Sequence, residues 1–152
     1  MSKARLVVDP ASIRTRGAGP ATGSVWLALE EVAFPSKDWN DFIVVILEAW
    51  VGAVLRLLEG SSRNEIVHFM DGPYLVELSR TSAAILRLRA VENSYHEKAS
   101  TDVEALPLVE SLLNGSEGVL AVCRGEQCWS ADAEKLAESL PSLRRRVIQL
   151  RN

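Results

Sequence analysis

The chain has 152 residues, of which 47% are hydrophobic and 24% are charged. These values are typical of a globular protein with a sizeable core, so we expect one domain over residues 1–152 and exclude a disordered chain. The formal net charge of −3 supplies no basic field, and we therefore do not expect a nucleic-acid partner. Because the first residues lack the apolar core of a signal peptide, we expect a cytoplasmic protein.

The first part of the chain predicts two strands separated by a long connection. Arg5–Asp9 is a short apolar run closed by Pro10, and the stretch 25–33 alternates apolar side chains with a period of two. The connection at 10–24 contains three glycines. Glycine and proline in an irregular stretch of this length favour a mobile loop, which we expect at 10–24.

The most apolar stretch, residues 37–59, predicts a long central helix. Ser36 is suited to cap its beginning and Gly60 its end. Most positions between them are apolar, which indicates burial on more than one side. Glu48 interrupts the apolar run well short of the roughly 20 residues that a bilayer requires, so we expect no membrane span.

Three further segments predict strands. Glu65–Met70 and Tyr74–Ser79 flank Asp71-Gly72, a dipeptide typical of a hairpin turn, and the stretch 84–91 alternates. With the two earlier strands, they predict an α+β fold: a mostly antiparallel sheet of about five strands packed on the long central helix. The polar residues 92–100 are expected to be exposed.

The last third of the chain is predicted to be helical. One helix is expected from about residue 102 to 113, kinked or restarted at Pro107 and stopped at Asn114-Gly115. The stretch 118–124 fits either a strand or a helical turn. Ser130 is expected to cap a final helix, interrupted at Pro141. Its apolar seam consists of Leu136, Leu140, Leu143, Val147 and Leu150.

No catalytic motif is recognisable, and we do not expect an enzyme. The two cysteines, Cys123 and Cys128, form a C-x4-C pair without the second pair that a four-cysteine zinc site requires. We therefore expect free thiols, no metal and no cofactor. An alternative of a different class is a small enzyme or ligand binder with a pocket between helix and sheet, lined by His68, Asp71 and Tyr74.

Acidic blocks favour a protein partner. Residues 36–79 contain three basic and seven acidic side chains, and residues 102–142 contain two basic and eight acidic ones. Tryptophans next to acids are typical anchors of protein interfaces. We expect a basic protein partner. The candidate residues are Asp38, Trp39, Asp41, Glu48, Asp71, Glu126, Trp129 and Asp132.

Two short stretches carry a resemblance to a known class of proteins. The acidic α+β chain, with F-P-S-K-D-W-N-D-F at 34–42 and F-M-D-G-P-Y at 69–74, resembles bacterial immunity proteins that neutralise polymorphic or contact-dependent toxins. The resemblance implies that the protein binds one cognate toxin and blocks its active site or holds it in an inert complex. Besides the protein-binding module and the small enzyme or ligand binder, a third possibility is a homodimeric scaffold subunit. Such a subunit would pair through a sheet edge or through the final helical seam.

Overall fold

The structure, a computed structural model, describes residues 2–17 and 19–152. In this part of the chain, eight strands and three helices follow one another. The strands are β1 (Ala4–Arg14), β2 (Thr22–Leu29), β3 (Val32–Phe34), β4 (Asn40–Asp41), β5 (Asn64–His68), β6 (Tyr74–Ser82), β7 (Ile85–Glu92) and β8 (His96–Glu104). The helices are α1 (Ile43–Glu59), α2 (Ala105–Gly125) and α3 (Ala131–Arg151).

The strands of the described residues form two antiparallel sheets. In the first sheet, β2 lies between β1 and β3 and also pairs with β4, and the second is the meander β5-β6-β7-β8. A parallel bridge between Ser2, just before β1, and Val103 of β8 joins the two sheets. The predicted α+β class with a helical last third is confirmed, but the prediction of one five-stranded sheet is wrong. Periodicity identifies single strands, whereas their grouping depends on which edges meet.

Strand β8 was not expected, because its residues are polar. Its polar side chains face those of β7, where Arg87 pairs with Asp102 at 3.1 Å and Arg89 pairs with Glu97 at 2.7 Å. The other face of the sheet carries buried residues such as Leu88. A strand with one solvated face needs only a few apolar residues, and cross-strand ion pairs suit that face.

Helix α1 begins later than predicted. Residues 40–41 pair with β2 as strand β4, so their backbone is committed to a sheet, and the helix starts at Ile43 rather than at residue 37. Ser36 does not cap it, because Phe42 occupies the N-cap position and makes no side-chain cap. The predicted end is confirmed: Gly60 has a φ of 84° and closes the helix. Buried residues such as Trp50 place α1 in the core, in contact with both sheets and both other helices.

Helix α2 runs without a break from residue 105 to 125, past the predicted stop at Asn114-Gly115. The stretch 118–124 is therefore helical. Pro107 does not interrupt the helix, because it lies in the first turn, where backbone N–H groups have no partner within the helix. The beginning predicted at residue 102 is also wrong, since that residue belongs to β8.

Two glycines of α2, Gly115 and Gly118, make room for β1. A Cβ atom at Gly115 would lie 2.9 Å from Cγ2 of Val8, and one at Gly118 would lie 3.2 Å from Cγ of Pro10. On the same face, the Ser111 hydroxyl accepts a hydrogen bond of 3.0 Å from the backbone N–H of Leu6. Gly115 thus permits close approach of a strand instead of ending the helix.

The final helix agrees with its predicted start. The Ser130 hydroxyl accepts a hydrogen bond of 3.1 Å from the backbone N–H of Ala133. Pro141 lies inside a continuous helix, so the predicted interruption is wrong. The apolar seam is buried against the body of the protein except for its last member, Leu150, which is half-buried.

Strand β1 extends past Pro10 to Arg14, so the connection to β2 is shorter than the predicted loop 10–24. Residue 18 of that loop lies outside the described residues, and the mobility of the loop stays a prediction. No helix in the described ranges 2–17 and 19–152 is both long enough and apolar enough to cross a membrane.

One ion pair between α1 and β5 leads to a prediction about pH. Arg56 donates hydrogen bonds of 2.7 and 3.1 Å to one carboxylate oxygen of Glu65, which lowers the pKa of Glu65. A carboxyl group with a lowered pKa in the folded state stabilises above its unfolded pKa of about 4.3 and loses this contribution as the pH falls through the folded value. Because Arg56 is half exposed, we expect this ion pair to contribute less than about 1 kcal/mol to the free energy of unfolding.

The matched comparison is Glu65→Gln against Glu31→Gln, since Glu31 is exposed. Urea unfolding at neutral pH should show Glu65→Gln to be the less stable variant. The difference from wild type should shrink and vanish as the pH falls through the lowered folded-state pKa of Glu65. A difference that stays constant over this range would contradict the assigned ion pair.

Candidate functional site

The two stretches that carry the resemblance lie against each other. They are joined by Asp41, which is 3% exposed. Its Oδ2 atom accepts hydrogen bonds from the backbone N–H groups of Met70 at 3.0 Å and of Asp71 at 3.2 Å. The same oxygen accepts a hydrogen bond of 3.1 Å from Nε1 of Trp39, and Oδ1 accepts one of 2.7 Å from the N–H of Phe42. One buried carboxylate therefore fixes the chain before α1 to the turn after β5.

Aromatic rings pack beside this carboxylate. The ring centroid of Phe34 lies 5.9 Å from that of Phe69 and 5.7 Å from that of Tyr74, and Trp39 lies 5.2 Å from Tyr74, all edge to face. Gly72 has a φ of 85°, and a Cβ atom there would lie 2.8 Å from the Tyr74 ring. The hairpin turn predicted at Asp71-Gly72 joins β5 to β6 as expected. We call residues 34, 38–42 and 69–74 the aromatic corner.

The solvent-facing side of the aromatic corner combines free acids with apolar side chains. Asp38 and Asp71 are exposed, and neither belongs to an ion pair in the described part of the chain. Phe42 is 36% exposed and Met70 is 46% exposed, while Trp39 is half-buried. Acids without a cation and apolar groups without a cover are features of a docking surface.

The second group of predicted partner residues lies at the connection between α2 and α3. Trp129 is 37% exposed, and its Nε1 atom donates a hydrogen bond of 2.8 Å to Glu134. The guanidinium of Arg124 lies 4.7 Å from the centroid of its ring. A cavity of about 350 Å³ is lined by Trp129 and Asp132 together with Val44 and Val45 of α1. Trp129 and Asp132 thus lie across this cavity from the first turn of α1.

The structure places the eight predicted partner residues as follows. In the aromatic corner, Asp38, Trp39 and Asp41 lie just before α1, and Asp71 lies in the turn between β5 and β6. Glu126, Trp129 and Asp132 lie at or next to the connection between α2 and α3. Glu48 is half-buried within α1. The carboxylate of Asp41 faces donors of its own chain, so it positions the aromatic corner from within.

Sequence reasoning missed Phe42 and Met70, both of which are exposed in the aromatic corner. Each is apolar and sits inside an apolar stretch, so periodicity assigns it to the core. The only local signal was their position next to Asp41 and Asp71. Exposure of such residues depends on how the two stretches pack.

The three residues predicted to line the alternative pocket, His68, Asp71 and Tyr74, lie in different surroundings. His68 is exposed at the end of β5, Asp71 is exposed in the turn, and the ring of Tyr74 packs on Phe34 and Trp39. Among residues 2–17 and 19–152, no three His, Cys, Asp or Glu side chains are placed to hold a metal ion. Two of the three residues, Asp71 and Tyr74, thus belong to the aromatic corner.

Comparisons with protein-family models, with curated proteins and with solved structures found no significant match to this chain. The proposal for its function accordingly rests on the residues of the aromatic corner, their burial and their charge.

Proposed function

We propose that this chain is a non-enzymatic protein-binding module that docks a basic protein partner on the aromatic corner. The observation that carries the proposal is the pair of exposed acids, Asp38 and Asp71, beside half-exposed apolar side chains on a backbone held by Asp41. A surface that is ordered before its partner arrives loses little conformational entropy on binding.

The residues of the aromatic corner divide the work of recognition. Asp38 and Asp71 attract a basic surface and orient it, because unpaired charges raise the association rate and set the register. Trp39, Phe42 and Met70 supply apolar contact area near the centre, where interfaces derive most of their binding energy. Asp41 holds both halves of the corner in place.

The resemblance suggests the kind of partner. We propose that the partner is a basic toxin domain, and that this chain acts as its immunity protein by covering the toxin's active site or holding the toxin in an inert complex. Such a protein needs no catalytic group of its own, because occupation of the toxin surface is sufficient for inhibition.

The test reverses the charge of the corner. We expect Asp38→Lys combined with Asp71→Lys to weaken partner binding by roughly 100-fold, since like charges then face each other. The control is Glu31→Lys with Glu138→Lys, which changes the net charge equally at two other exposed positions. Tagged wild-type protein would capture the partner from the native host, and calorimetry would then compare the three proteins.

Three results would support the proposal: recovery of one basic protein, selective weakening by the corner variant, and rescue of growth when the wild-type chain is co-expressed with that protein. Equal affinities of the two double variants would show that the interface lies elsewhere. Failure to recover a basic partner would contradict the proposed function itself.

A further inference from the structure

Helix α2 ends in a hydrogen-bonding pattern that brings its two cysteines together. The backbone N–H of Cys128 donates a hydrogen bond of 2.9 Å to the carbonyl oxygen of Cys123. Gln127, between them, has a φ of 58°, in the left-handed region. This hydrogen bond and this left-handed residue are shared with the Schellman motif, in which the side chains three positions before the cap and two positions after it are frequently in contact.

The hydrogen bond limits how far apart the two cysteines can be. With standard backbone dimensions, a bond of 2.9 Å between these atoms keeps the two Cα atoms within roughly 6.8 Å of each other. Disulfides span Cα–Cα distances of about 4.4 to 6.8 Å. The backbone at the end of α2 therefore already has a separation that a disulfide can bridge.

The two thiols differ in their access to solvent. Cys123 is fully buried, while Cys128 is half-buried and lines the cavity next to Trp129. Burial, and then the neighbouring Cys128 thiol, raise the pKa of Cys123 to about 12. A reagent from solvent meets Cys128 first, and Cys123 is the thiol that lies behind it.

We propose that Cys123 and Cys128, free thiols in this structure, are a modification site at which a small-molecule disulfide forms a reversible intrachain disulfide. The Cys128 thiolate attacks one sulfur of the reagent R–S–S–R, whose S–S bond breaks and releases RS⁻. The Cys123 thiol then gives its proton to solvent, and its Sγ attacks Sγ of Cys128. The mixed disulfide breaks and releases the second RS⁻, so that two protein thiols are oxidised and the reagent is reduced to two thiols.

This site is independent of the proposed partner. The contact of two small apolar side chains also satisfies the packing at this helix end, but alanine would satisfy it as well. Two cysteines at these particular positions add chemistry that packing does not require. The bond would fix the chain immediately before Trp129.

The experiment equilibrates the intact protein in buffers of reduced and oxidised glutathione. Alkylation followed by intact-mass measurement then gives the fraction that has lost two hydrogen atoms, in native buffer and in urea. We expect the equilibrium constant for disulfide formation to be at least about tenfold higher in the folded protein than in the unfolded chain, because the fold holds the thiols together. Cys123→Ser and Cys128→Ser should each abolish the intrachain product.

Variants of Gln127 test whether the left-handed turn is responsible. Gln127→Gly keeps that conformation and should retain the folded-state constant, whereas Gln127→Val disfavours it and should lower the constant by about threefold or more. If Gln127→Val does not fold, the wild-type comparison between native buffer and urea decides alone. An equal constant in both conditions, or glutathione retained on Cys128 with Cys123 still reduced, would overturn the proposal.

Discussion

Replacing Asp41 with alanine is expected to lower the free energy of unfolding by about 4 kcal/mol. The carboxylate is buried and accepts hydrogen bonds from three backbone N–H groups and from the indole of Trp39. Alanine would leave these four donors, which are partly buried, without their acceptor. An unsatisfied buried donor costs about 1 to 3 kcal/mol. Relaxation of the surrounding chain keeps the summed loss for the four donors below the sum of their separate costs.

Urea unfolding followed by circular dichroism would measure this loss. Asp71→Ala is the matched control, since its carboxylate is exposed in the same corner and the change should alter stability by less than about 0.5 kcal/mol. Asp41→Asn should fall between, because the amide keeps one acceptor oxygen but turns a donor towards other donors. A loss below about 1 kcal/mol for Asp41→Ala would mean that Asp41 does not hold the corner together.

Gly115→Leu is expected to destabilise the protein by about 3 kcal/mol. Even a Cβ atom at this position would lie 2.9 Å from Cγ2 of Val8, a distance shorter than van der Waals contact. The side chain of Val8 is short and β-branched, so its χ1 rotation gives little freedom to relieve the overlap. The gain in helix propensity of about 1 kcal/mol is smaller than the cost of separating α2 from β1.

Gly125→Leu is the control in the same helix, because Gly125 is exposed and a Cβ atom there meets nothing within 4 Å. We expect it to leave the midpoint of urea unfolding nearly unchanged. Val8→Ala should partly rescue Gly115→Leu, so the double mutant should lose less than the sum of its single mutants. If the losses of stability of Val8→Ala and Gly115→Leu simply added in the double mutant, the clash of the leucine side chain would not be with Val8.

Features that depend on a few neighbouring residues were predictable. The turn at Asp71-Gly72, the end of α1 at Gly60 and the cap of α3 at Ser130 were all expected and are all present. Each depends on one residue type with a particular backbone preference or hydrogen-bonding group. Their physics is local, so their sequence signals are reliable.

The errors occur where a distant segment changed the outcome. The start of α1 is set by pairing of residues 40–41 with β2, and the polar strand β8 depends on its pairing with β7. Gly115 stays helical because β1 packs on it. In each case the local preference is weak, and a tertiary contact outweighs it.

The candidate site shows the same division. Sequence patterns pointed to Asp38, Trp39, Asp41 and Asp71 separately, through charge and aromatic character near predicted turns. They did not indicate that Asp41 is buried or that Met70 is exposed, since burial depends on what packs above a residue.

By itself, the sequence determined the α+β class, an apolar central helix, the hairpin and the helical last third, because these follow from periodicity and from turn and cap residues. Only the tertiary structure decided that the strands form two sheets and that residues 34–42 and 69–74 meet at one carboxylate. Side-chain chemistry acts over a few neighbours along the chain, whereas the pairing of strand edges and the burial of a charge depend on segments that meet only after folding.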